Sequence, residues 1–222
     1  MLHKILQNKL QNYTDKNLII VQIGGNDGIL DDPIYSEVCK FNYNLHVVEP
    51  VPKYYDELKQ NYLHMSNVKC YNFAISSFTG VAKLNYINCV NSKYDWLKGC
   101  SSLYTNKNVL SGFMGKSLDI KASDDIIEFI NLNKSEIIVN TFTLSDFLKN
   151  NSINSVDVFI TDTEGEDFNI FKQFDFKNYK PKLYYTEMYN WTDEEKGKSI
   201  SKLTNLNYIC ITDGYNMLSY EQ

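Results

Sequence analysis

The sequence of 222 residues contains no arginine, so all 22 of its basic residues are lysines, against 27 acidic residues. Arginine is the residue that pairs with guanine and clamps phosphate through two parallel hydrogen bonds. Its absence and the net charge of −5 therefore argue against nucleic acid as a partner. An AT-rich coding sequence would produce the same bias toward Asn, Lys, Ile and Tyr, and we give that explanation of the missing arginine more weight.

Cysteine patterns and long apolar runs are also lacking. The five cysteines are an odd number without a C-x-x-C pair, which argues against both a disulfide framework and a thiolate zinc site. No stretch approaches the roughly 18 consecutive apolar residues that cross a bilayer. The opening MLHKILQNKL has neither the apolar centre nor the cleavage site of a signal peptide. We therefore expect a cytoplasmic protein with reduced thiols and no membrane partner.

The length and the hydrophobic content of 43% predict one substantial core, so residues 1–222 are expected to form a single domain. A short amphipathic helix over about residues 1–17 precedes the first strand. The periodic pattern weakens over about residues 88–135, which indicates an irregular insertion or lid. Long loops of this kind often carry substrate contacts.

A strand, a glycine-rich turn and a distant carboxylate form the most informative pattern in the chain. The apolar run Leu18 to Ile23 predicts a buried parallel strand, and Gly24, Gly25 and Gly28 allow the backbone to bend tightly after it. Glu49 ends the next apolar run at about the spacing of a carboxylate that binds ribose hydroxyls. An ordinary tight turn is the alternative interpretation of the glycines, and the turn departs from G-x-G-x-x-G. The pattern favours a nucleoside cofactor without a pyrophosphate.

Strands and helices alternate along most of the chain. Helices are expected from Asp32-Pro33 through Lys40, from Pro52, and over Ser123 to Leu132. Further strands are predicted over Val68 to Ile75, Val81 to Ile87, Ile137 to Phe142, Val156 to Thr161, Leu183 to Glu187, Leu206 to Thr212 and Met217 to Tyr220. This pattern predicts an open, mostly parallel α/β sheet with helices on both faces and an antiparallel C-terminal end.

Two helix starts and one hairpin can be located from short signals. Thr143 with Asp146, and Thr192 with Glu195, have the spacing of capping boxes. The DGYN segment between the last two strands predicts a hairpin turn. Because ligands bind beyond the carboxyl ends of parallel strands, the turn after the first strand, Glu49, Ala74, Asp162 and Glu187 are expected to converge. Their convergence would form one site.

Four ordered motifs resemble those of the FkbM-type methyltransferases, a branch of the class I enzymes that depend on S-adenosylmethionine. They are VQIGGNDG, VEPVPKYYDEL, NFAIS and VDVFITDTEGEDFNIF, and together they span most of the chain. The resemblance implies a Rossmann-like fold with a mostly parallel seven-stranded sheet and S-adenosylmethionine as the cofactor. Two positions depart from the family pattern: Gln22, where an acidic residue is common, and Gly25, where alanine is common.

The same resemblance implies which residues hold the cofactor. Gly24, Gly25, Asn26, Asp27 and Gly28 would surround its methionine part, Glu49 would hold the ribose, and Ala74 or Ile75 would lie beside the adenine. Each assignment has an ordinary alternative. Asp27 can cap the next turn, Asn26 can adopt left-handed geometry, and the Ala74-Ile75 pair can be plain strand packing.

Asp162 follows the strand that ends at Thr161 and is the first candidate for a general base, with Glu164 and Glu187 as further candidates. The alternative interpretation of DTEGED is that its carboxylates stabilise the dipole of the helix that follows. We do not apply this interpretation to Asp162. Asp162 and Glu164 could also bind Mg²⁺, but we favour metal-independent catalysis. No Asn-Pro-Pro-Tyr-like segment follows this strand, which tilts the acceptor atom from nitrogen toward oxygen.

The expected acceptor is a hydroxylated small molecule or glycan, and Ser101, Ser102 and Trp191 are the candidates for contacting it. Loop filling and core packing are the ordinary alternatives for these three side chains. Two rival functions stay open. One is an NAD(P)- or nucleotide-sugar-dependent Rossmann enzyme, and the other is a binding module that keeps the fold without catalysis. A homo-oligomer is compatible with the methyltransferase function and with both rival functions.

Overall fold

The computed structural model describes residues 2–13, 17–89, 93–104 and 124–222. Its strands are β1 Ile19–Ile23, β2 Asn44–Val48, β3 Val68–Tyr71, β4 Ala74–Ile75, β5 Gly80–Ile87, β6 Lys134–Phe142, β7 Val158–Thr161, β8 Leu183–Glu187, β9 Tyr208–Thr212 and β10 Asn216–Glu221. Its α-helices are α1 Leu2–Gln11, α2 Tyr35–Phe41, α3 Pro52–Asn61, α4 Asp124–Asn133, α5 Leu144–Asn150, α6 Asp167–Gln173, α7 Phe176–Tyr179 and α8 Asp193–Thr204. A 3₁₀ helix spans Asp95–Gly99.

Seven strands form the main sheet in the order β3-β2-β1-β7-β8-β10-β9. Neighbouring strands run parallel except for β10, which is antiparallel to both β8 and β9. The expected seven-stranded, mostly parallel sheet with an antiparallel C-terminal strand is thus confirmed. Ile23 pairs with Val48 on one side and with Thr161 on the other, so β1, β2 and β7 end level with one another. The residues that follow these three strands therefore emerge together at one edge.

Both faces of the main sheet are buried under helices. Ile20 packs in the cluster that contains the buried leucines of α1, whereas its neighbour Val21 packs in the cluster that contains α5 and α6. On β7, Phe159 and Ile160 are divided between the two clusters in the same way. Because successive strand side chains point to opposite faces, a continuous apolar run requires a core on each side. This confirms helices on both faces.

The expectation of one strand over Val68 to Ile75 is wrong, because the chain leaves the main sheet in the middle of that segment. β3 ends at Tyr71, and Asn72 then donates hydrogen bonds to the backbone oxygens of Glu49 (2.9 Å) and Pro50 (3.1 Å). Ala74 and Ile75 pair instead with β6, in a separate three-stranded sheet of order β4-β6-β5. The bend carries this segment away from the sheet and over its carboxyl edge.

Local capping explains two further differences from expectation. Asp32 accepts hydrogen bonds from the amides of Ile34 (2.8 Å) and Tyr35 (2.6 Å), so the helix begins at Tyr35 and not at Pro33. At α5, Thr143 accepts from the Asp146 amide, but the Asp146 carboxylate bonds the hydroxyl of Thr79, so only half of the expected box forms.

The other sequence signals at element ends are reproduced by the structure. The box of Thr192 and Glu195 is complete at α8. The DGYN segment connects the antiparallel strands β9 and β10, as expected of a hairpin. The N-terminal helix α1 buries Leu2, Leu6 and Leu10.

Parts of the expected N-terminal helix and insertion lie outside the described residues, namely 1, 14–16, 90–92 and 105–123. The helix expected from Ser123 is described as α4, from Asp124 onward. That the whole chain forms a single domain stays a prediction. In the described segments, no helix combines the length and apolarity needed to cross a membrane.

Candidate active site

A cavity of about 430 Å³ opens at the carboxyl ends of β1, β2, β7 and β8. The strand order reverses between β1 and β7, which is where open α/β sheets bind their ligands. Its volume is within the range of ligand pockets, roughly 300–1,000 Å³. Most of the residues expected to form the site line it: Gly24, Gly25, Asn26, Glu49, Ala74, Ile75, Ser101, Asp162, Glu164 and Glu187.

The two glycines that follow β1 are required by close packing within the protein. Gly24 has φ +87°, and a Cβ on it would lie 1.8 Å from the backbone oxygen of Asp162. A Cβ on Gly25 would lie 2.3 Å from Cγ2 of Val47. The missing side chains thus let the turn sit between β2 and the loop that follows β7. This packing holds the floor of the cavity together.

The rest of the turn divides between the cavity and the core. Asp27 accepts hydrogen bonds from the amides of Ile29 (2.9 Å) and Leu30 (2.8 Å), and Gly28 packs beneath Leu58. Neither Asp27 nor Gly28 belongs to the cavity lining. Asn26, at φ +47°, does line the cavity, and its Oδ1 is buried without a hydrogen-bond partner.

Glu49 is a buried carboxylate at the end of β2. Its Oε2 accepts from the amide of Asn26 at 2.9 Å and its Oε1 from the amide of Val51 at 2.8 Å. Burial raises the pKa of Glu49 to about 8, against the lowering effect of these two hydrogen bonds, and the nearby charge of Asp27 adds to the rise. Each carboxylate oxygen has a second lone pair, so Glu49 can still accept hydrogen bonds from a ligand.

One wall of the cavity is apolar. Ala74 and Ile75 of β4 line it together with Leu84 of β5 and Leu103. Ala74 and Leu84 belong to a small buried cluster between the three-stranded sheet and α3. The bend after Tyr71 therefore brings β4 across the edge of the main sheet. A flat apolar group such as an adenine ring can pack against such a wall.

Three carboxylates converge in the cavity lining at the ends of β7 and β8, and we call Asp162, Glu164 and Glu187 the carboxylate trio. Each member offers one oxygen within 4.8 Å of the others. Asp162 and Glu164 follow β7, and Glu187 is the last residue of β8, its parallel neighbour. Adjacent strands that end level therefore place the three side chains together.

The loop after β7 is shaped to turn Glu164 inward. Glu164 has φ +54° and Gly165 has φ +134°. The Asp167 carboxylate closes this loop by accepting from the amides of Thr163 (3.1 Å) and Gly165 (3.4 Å). Because α6 begins at Asp167, the helix-dipole interpretation of DTEGED applies to Asp167 and not to Asp162 or Glu164, which precede the helix.

Burial and mutual repulsion perturb the trio. Asp162 faces the open cavity, but the surrounding protein displaces bulk water and raises its pKa to about 7, with the charges of Asp167 and Asp32 adding to the rise. Burial, followed by the neighbouring carboxylates, raises the pKa of Glu164 and of Glu187 well above the usual range. Carboxyl groups with such perturbed pKa values, in a cavity, mark a candidate catalytic centre.

The candidate acceptor contacts are dispersed. Ser101 lines the cavity, whereas Ser102 is fully buried and donates a 2.7 Å hydrogen bond to the backbone oxygen of Glu164. Trp191 lies in the main core against Phe168 and Phe171, outside the cavity lining. The structure therefore gives Ser102 and Trp191 packing contacts, and only Ser101 borders the site.

Several cavity residues were not among the site residues assigned from the sequence. Trp96, Lys98, Glu166, Tyr189 and Tyr215 all line the cavity. The rings of Tyr189 and Tyr215 stack, with centroids 5.8 Å apart. Tyr189 follows β8 and Tyr215 sits in the hairpin between β9 and β10, positions that are loops at the carboxyl edge. Their placement after strands was a usable signal, but their pairing depends on the sheet order.

Comparison with known proteins gives a family and a fold. Residues 22–210 match the family model of the methyltransferase FkbM domain. The structure is similar to that of a methyltransferase FkbM from Methylobacillus flagellatus KT, with 10% identity and a TM-score of 0.52, over 92% of this chain and 44% of that one. It is also similar to the methyltransferase domain of METTL16, with 10% identity and a TM-score of 0.50, over 99% and 66% of the two chains.

At such identities, likeness to a solved structure shows the fold alone. The chain spans less than half the length of the Methylobacillus protein that it resembles. No curated protein sequence matches the chain significantly.

Proposed function

The chain belongs to the FkbM methyltransferase family, and we propose that it transfers a methyl group from S-adenosylmethionine to a hydroxyl of a saccharide or related metabolite. The observation that carries this proposal is the composition of the cavity at the carboxyl ends of the strands. Its lining combines a ribose-compatible carboxylate, an apolar wall and the carboxylate trio. Donor and acceptor could thus meet within one site.

The cofactor side of the cavity matches the chemistry of S-adenosylmethionine. Glu49 can accept from both ribose hydroxyls, and Ala74 and Ile75 offer the apolar surface for the adenine. The amide oxygens Asn26 Oδ1 and Gln22 Oε1 are buried without hydrogen-bond partners. Buried polar atoms rarely go unsatisfied, so these oxygens fit the ammonium group of the methionine part.

S-adenosylmethionine supplies a methyl group activated by bonding to a sulfonium. The protein then has to align the acceptor oxygen with that methyl, and this alignment is chiefly a proximity effect. We propose that Asp162 accepts the proton that the hydroxyl loses as the new carbon–oxygen bond forms. Its carboxylate lines the cavity and accepts no hydrogen bond from the described residues, so one of its oxygens is available to the acceptor hydroxyl.

The rim of the cavity supports a sugar-like acceptor. Trp96, Tyr189 and Tyr215 line it, and Tyr215 is 51% exposed. Aromatic faces pack against the C–H surfaces of sugar rings, while carboxylates accept hydrogen bonds from sugar hydroxyls. Rings and carboxylates on one rim therefore favour a hydroxylated acceptor over a purely apolar one.

Calorimetric titration of the purified protein with S-adenosylhomocysteine, with NAD in parallel, is the first test. Micromolar binding of S-adenosylhomocysteine alone is the expected result, and it would justify screening hydroxylated sugars as methyl acceptors with a radiolabelled donor. Binding of NAD alone would reverse the proposal in favour of a nucleotide-dependent Rossmann enzyme. Binding of neither would favour a non-catalytic module that has kept the fold.

A further inference from the structure

We propose that Asp162, Glu164 and Glu187 together bind one divalent cation that prefers hard oxygen ligands, Mg²⁺ or Mn²⁺. The inference goes beyond the proposed methyl transfer and reverses the sequence-based preference for metal-independent catalysis, because the structure adds Glu187 to the pair. Only the ion's effect on the acceptor rests on the proposed function. Three carboxylate oxygens lie within 4.8 Å of one another. Oxygen ligands of Mg²⁺ lie about 2.9 Å apart when adjacent and about 4.1 Å apart when opposite, so the side chains would draw together by about 1–2 Å to close around the ion.

A second observation is the lack of protein donors at this cluster. Glu164 is 9% exposed, and its Oε2 is buried without any hydrogen-bond partner. Over residues 2–13, 17–89, 93–104 and 124–222, none of the three carboxylates forms an ion pair with a lysine or accepts a side-chain or amide hydrogen bond. Buried carboxylates without donors are rare, because desolvation of the charge then goes uncompensated.

The other buried carboxylates in the described chain provide the contrast. Asp27, Glu37, Glu49, Glu166 and Asp167 are buried as deeply as Glu164. Each accepts at least two hydrogen bonds from amide, hydroxyl or side-chain amide groups. Among the carboxylates of the described residues that are buried this deeply, only Glu164 has no donor. The carboxylates of the exposed Asp162 and the half-buried Glu187 lie beside it.

Lysine is the only long cationic side chain in this sequence, and the lysine that lines the cavity pairs with carboxylates other than the trio. Lys98 lines the same cavity, but its Nζ lies 2.9 Å from Oε2 of Glu57 and 3.6 Å from Oδ2 of Asp27. It therefore pairs with Asp27 in the turn after β1 and with Glu57 of α3, and not with the trio. Because no lysine of the described residues pairs with the trio, its charge has to be neutralised by protons or by a cation that enters the cavity.

Three protein oxygens would leave open coordination positions on the ion. Mg²⁺ is octahedral and usually keeps several waters or substrate oxygens. Two neighbouring hydroxyls of the acceptor could replace two of those waters, which would position one of them for methylation. An acceptor with vicinal hydroxyls is the class that this geometry would select.

In the first test, Mn²⁺ is titrated with metal-stripped protein, and electron paramagnetic resonance measures the free ion. The signal of free Mn²⁺ should fall with a stoichiometry of one ion per chain, and Mg²⁺ should compete. Glu164→Gln and Glu187→Gln should each weaken Mn²⁺ binding by about tenfold or more, since each removes a charged ligand. Glu37→Gln is the matched control, because it neutralises a buried carboxylate that has its own donors and should leave binding unchanged.

Thermal unfolding without metal separates loss of a ligand from loss of the fold. Glu164→Gln removes an unpartnered buried charge, so its Tm should equal or exceed that of the parent. Failure to bind Mn²⁺ in the presence and absence of S-adenosylhomocysteine would overturn the proposal, as would binding that survives both trio variants. None of these experiments measures methyl transfer. Failure of the metal proposal can therefore be distinguished from failure of the proposed function.

Discussion

The amide of Asn26 donates a 2.9 Å hydrogen bond to Oε2 of Glu49, which joins the turn after β1 to the tip of β2. The other oxygen of the same carboxylate accepts from Val51 at the start of α3. Glu49 therefore links the turn after β1 to the start of α3 at the cavity that it lines. A ligand that reaches Glu49 meets a carboxylate already fixed in position.

Replacing Glu49 with Ala should raise the dissociation constant of S-adenosylhomocysteine at least about tenfold, roughly 1.4 kcal/mol, because the ribose loses its acceptor. Calorimetry would measure the constant, and a urea unfolding curve would check that the variant folds. Asp56→Ala, which removes an exposed carboxylate from α3, is the control and should have no effect. An unchanged constant in the Glu49 variant would remove Glu49 from ribose binding.

The affinity for S-adenosylhomocysteine should depend on pH through Glu49, whose pKa burial raises to about 8. Ribose hydroxyls donate to the ionised carboxylate, so below this pKa a proton has to leave before binding. Lowering the pH from about 8.5 to about 6.5 should weaken affinity roughly twentyfold. Glu49→Gln cannot titrate and should give a much flatter profile. Equal profiles in the two proteins would contradict the assignment.

Asp162→Asn should bind S-adenosylhomocysteine nearly as well as the parent and lose turnover by roughly 10²-fold or more, because the amide cannot accept the acceptor's proton. A methyl-transfer assay with an acceptor found by screening would supply the rates. Glu128→Gln, an exposed change on α4, serves as the control. Turnover retained in full by the Asp162 variant would show that another group takes the proton.

Gly24→Ala should destabilise the fold by roughly 2–5 kcal/mol, since the new Cβ would be strained by the positive φ and overlap the backbone of Asp162. Gly197→Ala is the matched control. It lies inside α8 with open space around its Cα, so it should stabilise the protein by about 0.5–1 kcal/mol. Urea unfolding would compare them. If the two variants had the same free energy of unfolding, the turn after β1 would be able to shift to accommodate the new Cβ, and the prediction would be wrong.

Tyr215→Ala should raise the KM for a saccharide acceptor about tenfold while leaving the affinity for S-adenosylhomocysteine unchanged. The Tyr215 ring stacks on Tyr189 after β8, whereas Glu49 follows β2, and β1 and β7 lie between these two strands in the sheet. Steady-state kinetics and calorimetry would separate the two effects. A loss of cofactor affinity with an unchanged KM would place the ring on the donor side.

Local patterns in the sequence were sufficient to predict the elements whose structure depends on residues close together in the chain. The buried strand from Leu18, the turn with its glycines, and Glu49 at the tip of β2 follow from apolar runs and spacing. The same holds for the box of Thr192 and Glu195 and for the antiparallel ending. Each signal is carried by residues close together in the chain, where backbone geometry and burial leave a periodic trace.

Contacts between distant segments needed the folded chain. Nothing local distinguishes Trp191, which packs in the core, from Tyr215, which borders the cavity. The departure of Ala74-Ile75 from the main sheet depends on hydrogen bonds from Asn72 to β2's end and on pairing with a strand more than 50 residues away.

The sequence by itself determined the alternating α/β class, the turn after β1 and the acidic residues that follow β2, β7 and β8, because buried strands and their ends leave local patterns. The sequence also predicted that Asp162 and Glu187 converge, but only the tertiary structure decided that one oxygen of each and one of Glu164 lie within 4.8 Å of one another. That meeting requires β8 to lie beside β7 in matched register, which is a property of strand order and not of any one segment. The tertiary structure also decided that, within the described residues, no lysine pairs with the trio, since Lys98 of the cavity lining pairs with Glu57 and Asp27.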